Sequence, residues 1–277
     1  MKSTVTACRC YFFVVLWFTA WVGFFGFFQP QQVERALPWL LPPLHARIVG
    51  ALYLAATAFL LLALLARTRL QVRTVVDIAF VWTSWLLMIS ILHRDSFDPA
   101  RQQVWFWAVA YVCFPLGAAW LALTSPPLAT PHDTLIAQPW VPRVLRVQGL
   151  LLVLLALWLT LLPQSVVQWW PWKISVLLAQ IYSGPVLGFG VGSLLLAARR
   201  NWTETLIPTI GLASFALLAL LGSSWHLALF SAGSLSKALW FTLLVVLAGL
   251  SLALVALARR HGRSASQARS PLVSESA

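Results

Sequence analysis

Residues 238–258 read ALWFTLLVVLAGLSLALVALA, a run in which no side chain carries a charge. A helix of about 20 residues is needed to cross a hydrocarbon core of about 30 Å. Lipid offers no partner to backbone N–H and C=O groups, so a segment that crosses it must satisfy them as a helix. This stretch therefore predicts a transmembrane helix.

Seven other runs have the same character. We predict eight spans, at 11–28, 47–66, 74–92, 104–124, 147–162, 176–198, 206–223 and 238–258. The composition agrees, because 60% of the residues are hydrophobic and only 9% are charged, whereas a soluble domain carries roughly a quarter charged residues. The sixteen tryptophans suit the membrane–water interface. The predicted fold class is an all-α membrane protein with eight transmembrane helices.

The distribution of basic residues predicts the orientation. Thirteen of the nineteen lysines and arginines lie on the side that holds both termini. Basic residues accumulate on the cytoplasmic side of membrane proteins, so both termini should be cytoplasmic in a cell-membrane protein. The formal net charge of +12 sits in short clusters between apolar runs. This arrangement argues against nucleic acid as a partner and makes the lipid bilayer the expected one.

The chain shows an internal similarity when it is shifted along itself so that Pro30 falls on Pro163. The same shift, which we call the repeat offset, also superimposes Trp39 on Trp172, Arg67 on Arg200, His93 on His226 and Phe97 on Phe230. With a further slip of two positions, Trp105 falls on Trp240. Each copy would hold four spans, an even number, so the sequence predicts two parallel four-helix repeats.

The repeat predicts the domain organisation. The first four-helix repeat covers 1–124, and a Pro-containing cytoplasmic linker covers 125–146. The second repeat covers 147–260. The polar segment 261–277 has no periodicity and is predicted to be a disordered cytoplasmic tail.

Two segments resemble known sequences. LPPLHARIVGALYLA at 41–55 and WWPWKISVLLAQIYSG at 169–184 look like stretches of uncharacterised bacterial integral membrane proteins. The resemblance implies a membrane location and no particular activity.

Four polar residues fall at one predicted membrane depth. Arg47 and Gln180 begin the second and sixth spans, and His93 and His226 close the third and seventh. They are the predicted ligand-binding residues of an outer-face site between the two repeats. The competing interpretation is that the histidines are interfacial residues at helix C-termini and that Arg47 snorkels to the headgroups.

Asp77 is the acid that lies within an apolar run, which makes it a proton-relay candidate. The alternative is a simple ion pair with Arg73, one helical turn earlier. The sequence contains no Cys-x-x-Cys, His-Glu-x-x-His, Gly-x-Ser-x-Gly or phosphate-loop motif. We therefore predict no metal site and favour a role that is not enzymatic.

Three functions remain open. The first is binding or transport of a small hydrophobic or amphipathic molecule in a cavity lined by the four polar residues. The second is a redox subunit in which His93 and His226 hold haem or quinone. It is the one hypothesis that requires a cofactor, and none is predicted otherwise. The third is a structural role with a membrane-protein partner or as a homo-oligomer.

Overall fold

The computed structural model describes residues 2–39, 41–124, 134–230 and 234–274. These residues form helices joined by short turns, and they contain no β-strand. In chain order the helices are α1 (Lys2–Phe28), α2 (Pro43–Leu65), α3 (Arg69–Leu92), α4 (Gln102–Thr124), α5 (Trp140–Leu161), α6 (Pro163–Trp169), α7 (Val176–Arg199), α8 (Trp202–Ser224) and α9 (Leu235–Ser274). All except the short α6 are long and apolar enough to cross a membrane. The prediction of eight spans is confirmed in this sense.

Several helices begin earlier than predicted. Helix α5 starts at Trp140, within the predicted linker 125–146, and helix α3 starts at Arg69. Helix α9 continues to Ser274, into the segment 261–277 for which disorder was predicted. Hydropathy detects only the part of a helix that matches the hydrocarbon core. Backbone hydrogen bonding continues into the polar turns beyond it, so hydropathy underestimates helix length.

The four spans of the first half (α1–α4) and those of the second half (α5 and α7–α9) interlock. Helix α1 packs along α2, and α5 packs along α7. Helix α2 then packs on α8 of the other half, and α3 packs on α7 in the same way. By contrast, α2 touches α3 only lightly, as α7 touches α8. The centre of the molecule is therefore built from pairs of helices that belong to different halves.

The contact between α1 and α2 depends on glycine. A Cβ atom on Gly50 would lie 2.3 Å from the backbone nitrogen of Phe27, and one on Gly26 would lie 2.8 Å from the carbonyl oxygen of Ala46. The two backbones approach closely, as small residues permit in membrane helices. This approach brings the end of α1 against the start of α2, next to Arg47.

The contact between α3 and α7 uses a second set of glycines. A Cβ atom on Gly188 would lie 3.1 Å from Cβ of Trp82, and one on Gly192 would lie 2.6 Å from Cδ1 of Ile78. The large side chains of α3 thus occupy the space that the glycines of α7 leave open. This seating holds the end of α3 against the start of α7.

Two ends of the bundle are distinguished by their residues. We call the end that holds His93 and His226 the histidine end, and the end that holds Arg73 and Arg199 the basic end. The charge distribution predicts that the histidine end faces outward.

Candidate functional site

The four predicted site residues form two pairs, each joining the two halves. Arg47 of α2 donates from Nε to Nε2 of His226, which follows α8, over 3.0 Å. Gln180 of α7 is hydrogen-bonded through Oε1 to Nε2 of His93, which follows α3. The four residues therefore form two separate pairs, one at the α2–α8 contact and one at the α3–α7 contact.

The chemistry of the partners determines the histidine tautomers. An arginine Nε–H only donates, so Nε2 of His226 accepts and its ring proton is on Nδ1. An amide oxygen only accepts, so Nε2 of His93 is the donor toward Gln180. The imidazole of His93 thus donates to its partner, and the imidazole of His226 accepts from its partner.

Each pair is also fixed to a backbone carbonyl. Nη1 of Arg47 donates to the carbonyl oxygen of Phe27 at the end of α1, over 2.8 Å. Nε2 of Gln180 donates to the carbonyl oxygen of Thr160 at the end of α5, also over 2.8 Å. The repeat offset places Phe27 on Thr160, just as it places Arg47 on Gln180.

The two pairs differ in charge. The Arg47 guanidinium carbon lies 4.6 Å from the centroid of the Trp225 ring, a cation–π contact. The position that corresponds to Trp225 in the other pair is Leu92. Burial, and then the charge of Arg47, lower the pKa of His226 below its ordinary value of 6.5. His226 is therefore neutral at pH 7 and able to accept the Arg47 hydrogen bond.

Haem ligation by both histidines stays a prediction. Nε2 of His93 and Nε2 of His226 each take part in a hydrogen bond, to Gln180 and Arg47 respectively. Binding of iron at either atom would require that bond to break.

His45 was not singled out in the sequence. It is buried on α2, and its Nε2 donates to the carbonyl oxygen of Lys173 over 2.9 Å. Its Nδ1 consequently accepts, and the hydroxyl of Tyr182 on α7 lies 2.9 Å away. The signal was a histidine at the start of an apolar run. The repeat offset places His45 on Leu178, so the internal similarity contains no signal for this histidine.

The difference between His45 and Leu178 also bears on two tryptophans, one of which has an indole N–H that is unpartnered among the described residues. Nε1 of Trp172 lies 3.5 Å from Nδ1 of His45. The corresponding Trp39 is buried, and its Nε1 has no hydrogen-bond partner among the described residues. At the repeat offset, Leu178 takes the position that corresponds to His45.

The tryptophans of the fourth and last spans require a change of register. Trp107 donates to Oγ of Ser90 over 2.8 Å, and Trp240 donates to Oγ of Ser223 over 2.9 Å. The repeat offset carries both residues of the first contact onto those of the second without any slip. The slip that matched Trp105 with Trp240 was therefore wrong, because in this structure Trp240 occupies the environment that corresponds to that of Trp107.

A charged cluster lies at the basic end. Asp77 forms an ion pair with Nη1 of Arg199 at 2.7 Å, not with Arg73 as the spacing suggested. Arg199 also contacts Glu204 at 3.1 Å, and Glu204 is fully buried and accepts from Thr74. Glu204 lies in the first turn of α8, before the predicted span 206–223, and so was not among the predicted site residues. The cluster joins α3, α7 and α8, and a proton-relay role for Asp77 stays a prediction.

A lateral cleft opens between α5, α6 and α9 at the histidine end. Its volume is about 400 Å³, and it is lined by Leu155, Trp158, Ser165, Trp169, Trp170, Pro171, Leu235, Ser236, Leu239, Trp240 and Leu243. None of the four predicted ligand-binding residues is among them. A second cavity of about 560 Å³ lies between α3 and α4 and is lined in part by Trp105 and Trp107.

Among the described residues, the corresponding space beside α1 is filled. There the ring of Phe18 contacts the rings of Trp107, Tyr111 and Phe114 and fills the space between α1 and α4. The repeat offset places Tyr111 and Phe114 on leucines, Leu244 and Leu247. The cleft opens at the corresponding gap between α5 and α9.

Comparison of the chain with protein-family models, with curated proteins and with solved structures found no match in any of the three.

Proposed function

We propose that this multi-pass membrane protein binds a small amphipathic molecule in the cleft between α5, α6 and α9. The observation that carries the proposal is the cleft itself. Its volume of about 400 Å³ falls within the usual range for small-molecule sites, roughly 300–1,000 Å³. Its lining is mainly apolar and aromatic, as is typical of such sites.

The position of the cleft identifies the phase from which a ligand would enter. Leu235, Leu239 and Trp169 line it and are exposed, by 68%, 58% and 65%. In a membrane helix bundle, exposed apolar side chains at this level contact acyl chains. A molecule dissolved in the bilayer would therefore reach the cleft sideways, without crossing an aqueous phase.

The polar groups of the cleft favour an amphipathic ligand over a pure hydrocarbon. Trp170 lines it, and the Nε1 of Trp170 is buried without a hydrogen-bond partner in the described part of the chain. Ser165 and Ser236 add hydroxyl groups. Tryptophan at the membrane interface combines an apolar ring with a donor N–H, and the serine hydroxyls give the cleft groups that a polar head can bind.

If the two halves arose by duplication of one four-helix unit, the second half can have acquired a binding cleft that the first half, in its described residues, lacks at the corresponding place. Hydrogen bonds recur at the repeat offset, as with Arg47–Phe27 and Gln180–Thr160. In a duplicated protein, the gap beside one helix can be filled in one copy and open in the other. The filled gap beside α1 and the cleft beside α5 fit that division.

The proposal is tested by filling the cleft. Leu239→Trp adds bulk to its wall, and Leu252→Trp makes the same change on α9 at an exposed position that does not line it. The probe is a lysophosphatidylcholine with a photoreactive diazirine in its acyl chain, added to the protein in lipid nanodiscs. We expect cross-links on α6 and α9 of the wild type, reduced about tenfold in L239W and unchanged in L252W.

Two results would contradict the proposal. Cross-links spread evenly around the lipid-facing helices would indicate ordinary solvation by lipid. Equal labelling of L239W and L252W would show that the cleft does not select the probe. If instead a membrane-protein partner copurifies and covers the cleft, the structural role replaces ligand binding.

A further inference from the structure

We propose that Arg47, together with His226 and Trp225, forms a binding site for an oxyanion group, a phosphate or a carboxylate, at the histidine end. The site lies where α1, α2 and α8 meet, apart from the cleft. It does not depend on the function proposed for the cleft.

The guanidinium of Arg47 is held in place from three sides. Its Nη1 donates to the carbonyl oxygen of Phe27, its Nε donates to Nε2 of His226, and the ring of Trp225 lies beside it. An arginine that merely extends into the headgroups needs none of these contacts. Because the side chain is already ordered, an anion that binds it does not have to order it first.

Among the described residues, no acidic side chain balances the charge of Arg47. No carboxylate of the described residues lies within 4 Å of it, whereas Arg199 at the basic end contacts both Asp77 and Glu204. No hydrogen bond within the described ranges uses its Nη2. A charge beside lipid is costly without a counter-ion, and arginine is the residue best shaped to bind planar oxyanions through two N–H groups.

His226 fixes the orientation of the Arg47 guanidinium. Since its Nε2 accepts from Arg47, the proton of the neutral ring is on Nδ1. That N–H lies on the side of the ring away from Arg47, so His226 orients the guanidinium and the oxyanion binds the N–H groups of Arg47 itself. The half-exposed position of Arg47 and the 52% exposure of Trp225 leave the site open to the interface.

The other half of the molecule contains a natural comparison. Where the first pair has Arg47 and Trp225, the second has Gln180 and Leu92. Both functional groups of Gln180 are engaged, Oε1 with His93 and Nε2 with the carbonyl oxygen of Thr160. The cation and its aromatic partner thus occur together on one side and are both missing on the other. The neutral pair of Gln180 and His93 joins its two helices without a cation. The charge of Arg47 therefore serves a purpose other than holding helices together.

The anion has two sources that share this chemistry, the headgroup of an anionic lipid and a free oxyanion in solution. We test both with the full-length chain in phosphatidylcholine nanodiscs. In one arm, phosphatidylglycerol is included as a minor lipid, and native mass spectrometry counts the molecules that stay bound. In the other arm, inorganic phosphate and acetate are titrated by calorimetry.

The informative variant is Arg47→Gln, which copies the residue at Gln180 and should fold. Arg94→Gln is the matched control, because Arg94 lies at the same end with a side chain that is 82% exposed, and its loss changes the net charge equally. We expect R47Q to weaken binding about tenfold and R94Q to leave it unchanged. Trp225→Leu, which copies Leu92, should weaken binding by a smaller factor.

Each outcome decides the matter. Selective loss of phosphatidylglycerol in R47Q assigns the site to a lipid headgroup, and selective loss of phosphate or acetate binding assigns it to a free oxyanion. Equal effects of R47Q and R94Q would show that only net charge matters, which overturns the site. Unchanged binding in R47Q, with its melting temperature and helical content retained, overturns it as well.

Discussion

Arg47 and His226 lie 179 residues apart and share a hydrogen bond of 3.0 Å between Nε and Nε2, while Gln180 and His93 form the corresponding bond on the other side of the molecule. Each bond joins one half of the chain to the other. The polar residues at the histidine end therefore connect the halves, in addition to any ligand they bind. Their replacement should affect stability in ways that depend on donor and acceptor chemistry.

Removal of the acceptor should destabilise the α2–α8 contact. His226→Ala leaves the Arg47 Nε–H without its partner, and an unsatisfied donor of this kind costs about 1–3 kcal/mol. We expect a lower melting temperature in detergent. His226→Gln places an amide oxygen that can accept the same bond and should recover much of the loss. Equal losses in both variants would mean that ring packing, not the hydrogen bond, is what matters.

The same histidine makes stability depend on pH. Burial and the charge of Arg47 lower the pKa of His226, so the unfolded chain takes up its proton before the folded chain does as pH falls. The stabilising contribution is complete above about pH 6.5, the ordinary value, and declines as the pH falls below it. We expect the melting temperature of the wild type to fall more between pH 7 and pH 5 than that of H226Q. Parallel curves would contradict this.

The close approach of α1 and α2 should tolerate no side chain at Gly50. A Cβ there would lie 2.3 Å from the backbone nitrogen of Phe27, so Gly50→Ala must force the helices apart. Overpacking of this kind costs about 1–3 kcal/mol or more. Gly249→Ala is the control, because a Cβ at Gly249 would have no heavy atom within 4 Å. Comparison of the two melting temperatures measures the effect, and similar values would refute the helix crossing.

The ion cluster at the basic end should be sensitive to loss of its central cation. Arg199→Ala leaves the carboxylates of Asp77 and Glu204 without their closest positive charge, and Glu204 is fully buried. Breaking a buried ion pair costs about 3–5 kcal/mol. Arg200→Ala, at the exposed neighbouring position, should have little effect. If Asp77→Asn relieves part of the R199A defect, the uncompensated charge of Asp77 is part of the cause.

The visible spectrum distinguishes the redox hypothesis. Because Nε2 of His93 and of His226 are both hydrogen-bonded, we expect the purified protein to have no Soret band. The measurement is an absorption spectrum before and after dithionite. A band that disappears in His93→Ala or His226→Ala would instead establish haem ligation and put the redox role first.

The sequence was sufficient for features that each helix determines by itself. Hydropathy identified eight spans, since the length and apolarity of a segment decide whether it can cross lipid, whatever its neighbours are. It also predicted one depth for Arg47, Gln180, His93 and His226, because residue number along a span measures depth. The repeat offset was visible, although the match of Trp105 with Trp240 was wrong and Trp107 takes that place.

The tertiary structure decided which helices are neighbours. Lateral position in a bundle depends on how apolar surfaces fit, and leucine- and alanine-rich faces look alike in sequence. The pairing of Arg47 with His226, the burial of His45 and the Arg199 partner of Asp77 all follow from helices packed across the two halves. The cleft beside α9 likewise results from the gap between α5 and α9, and a gap between helices belongs to no single segment of the chain.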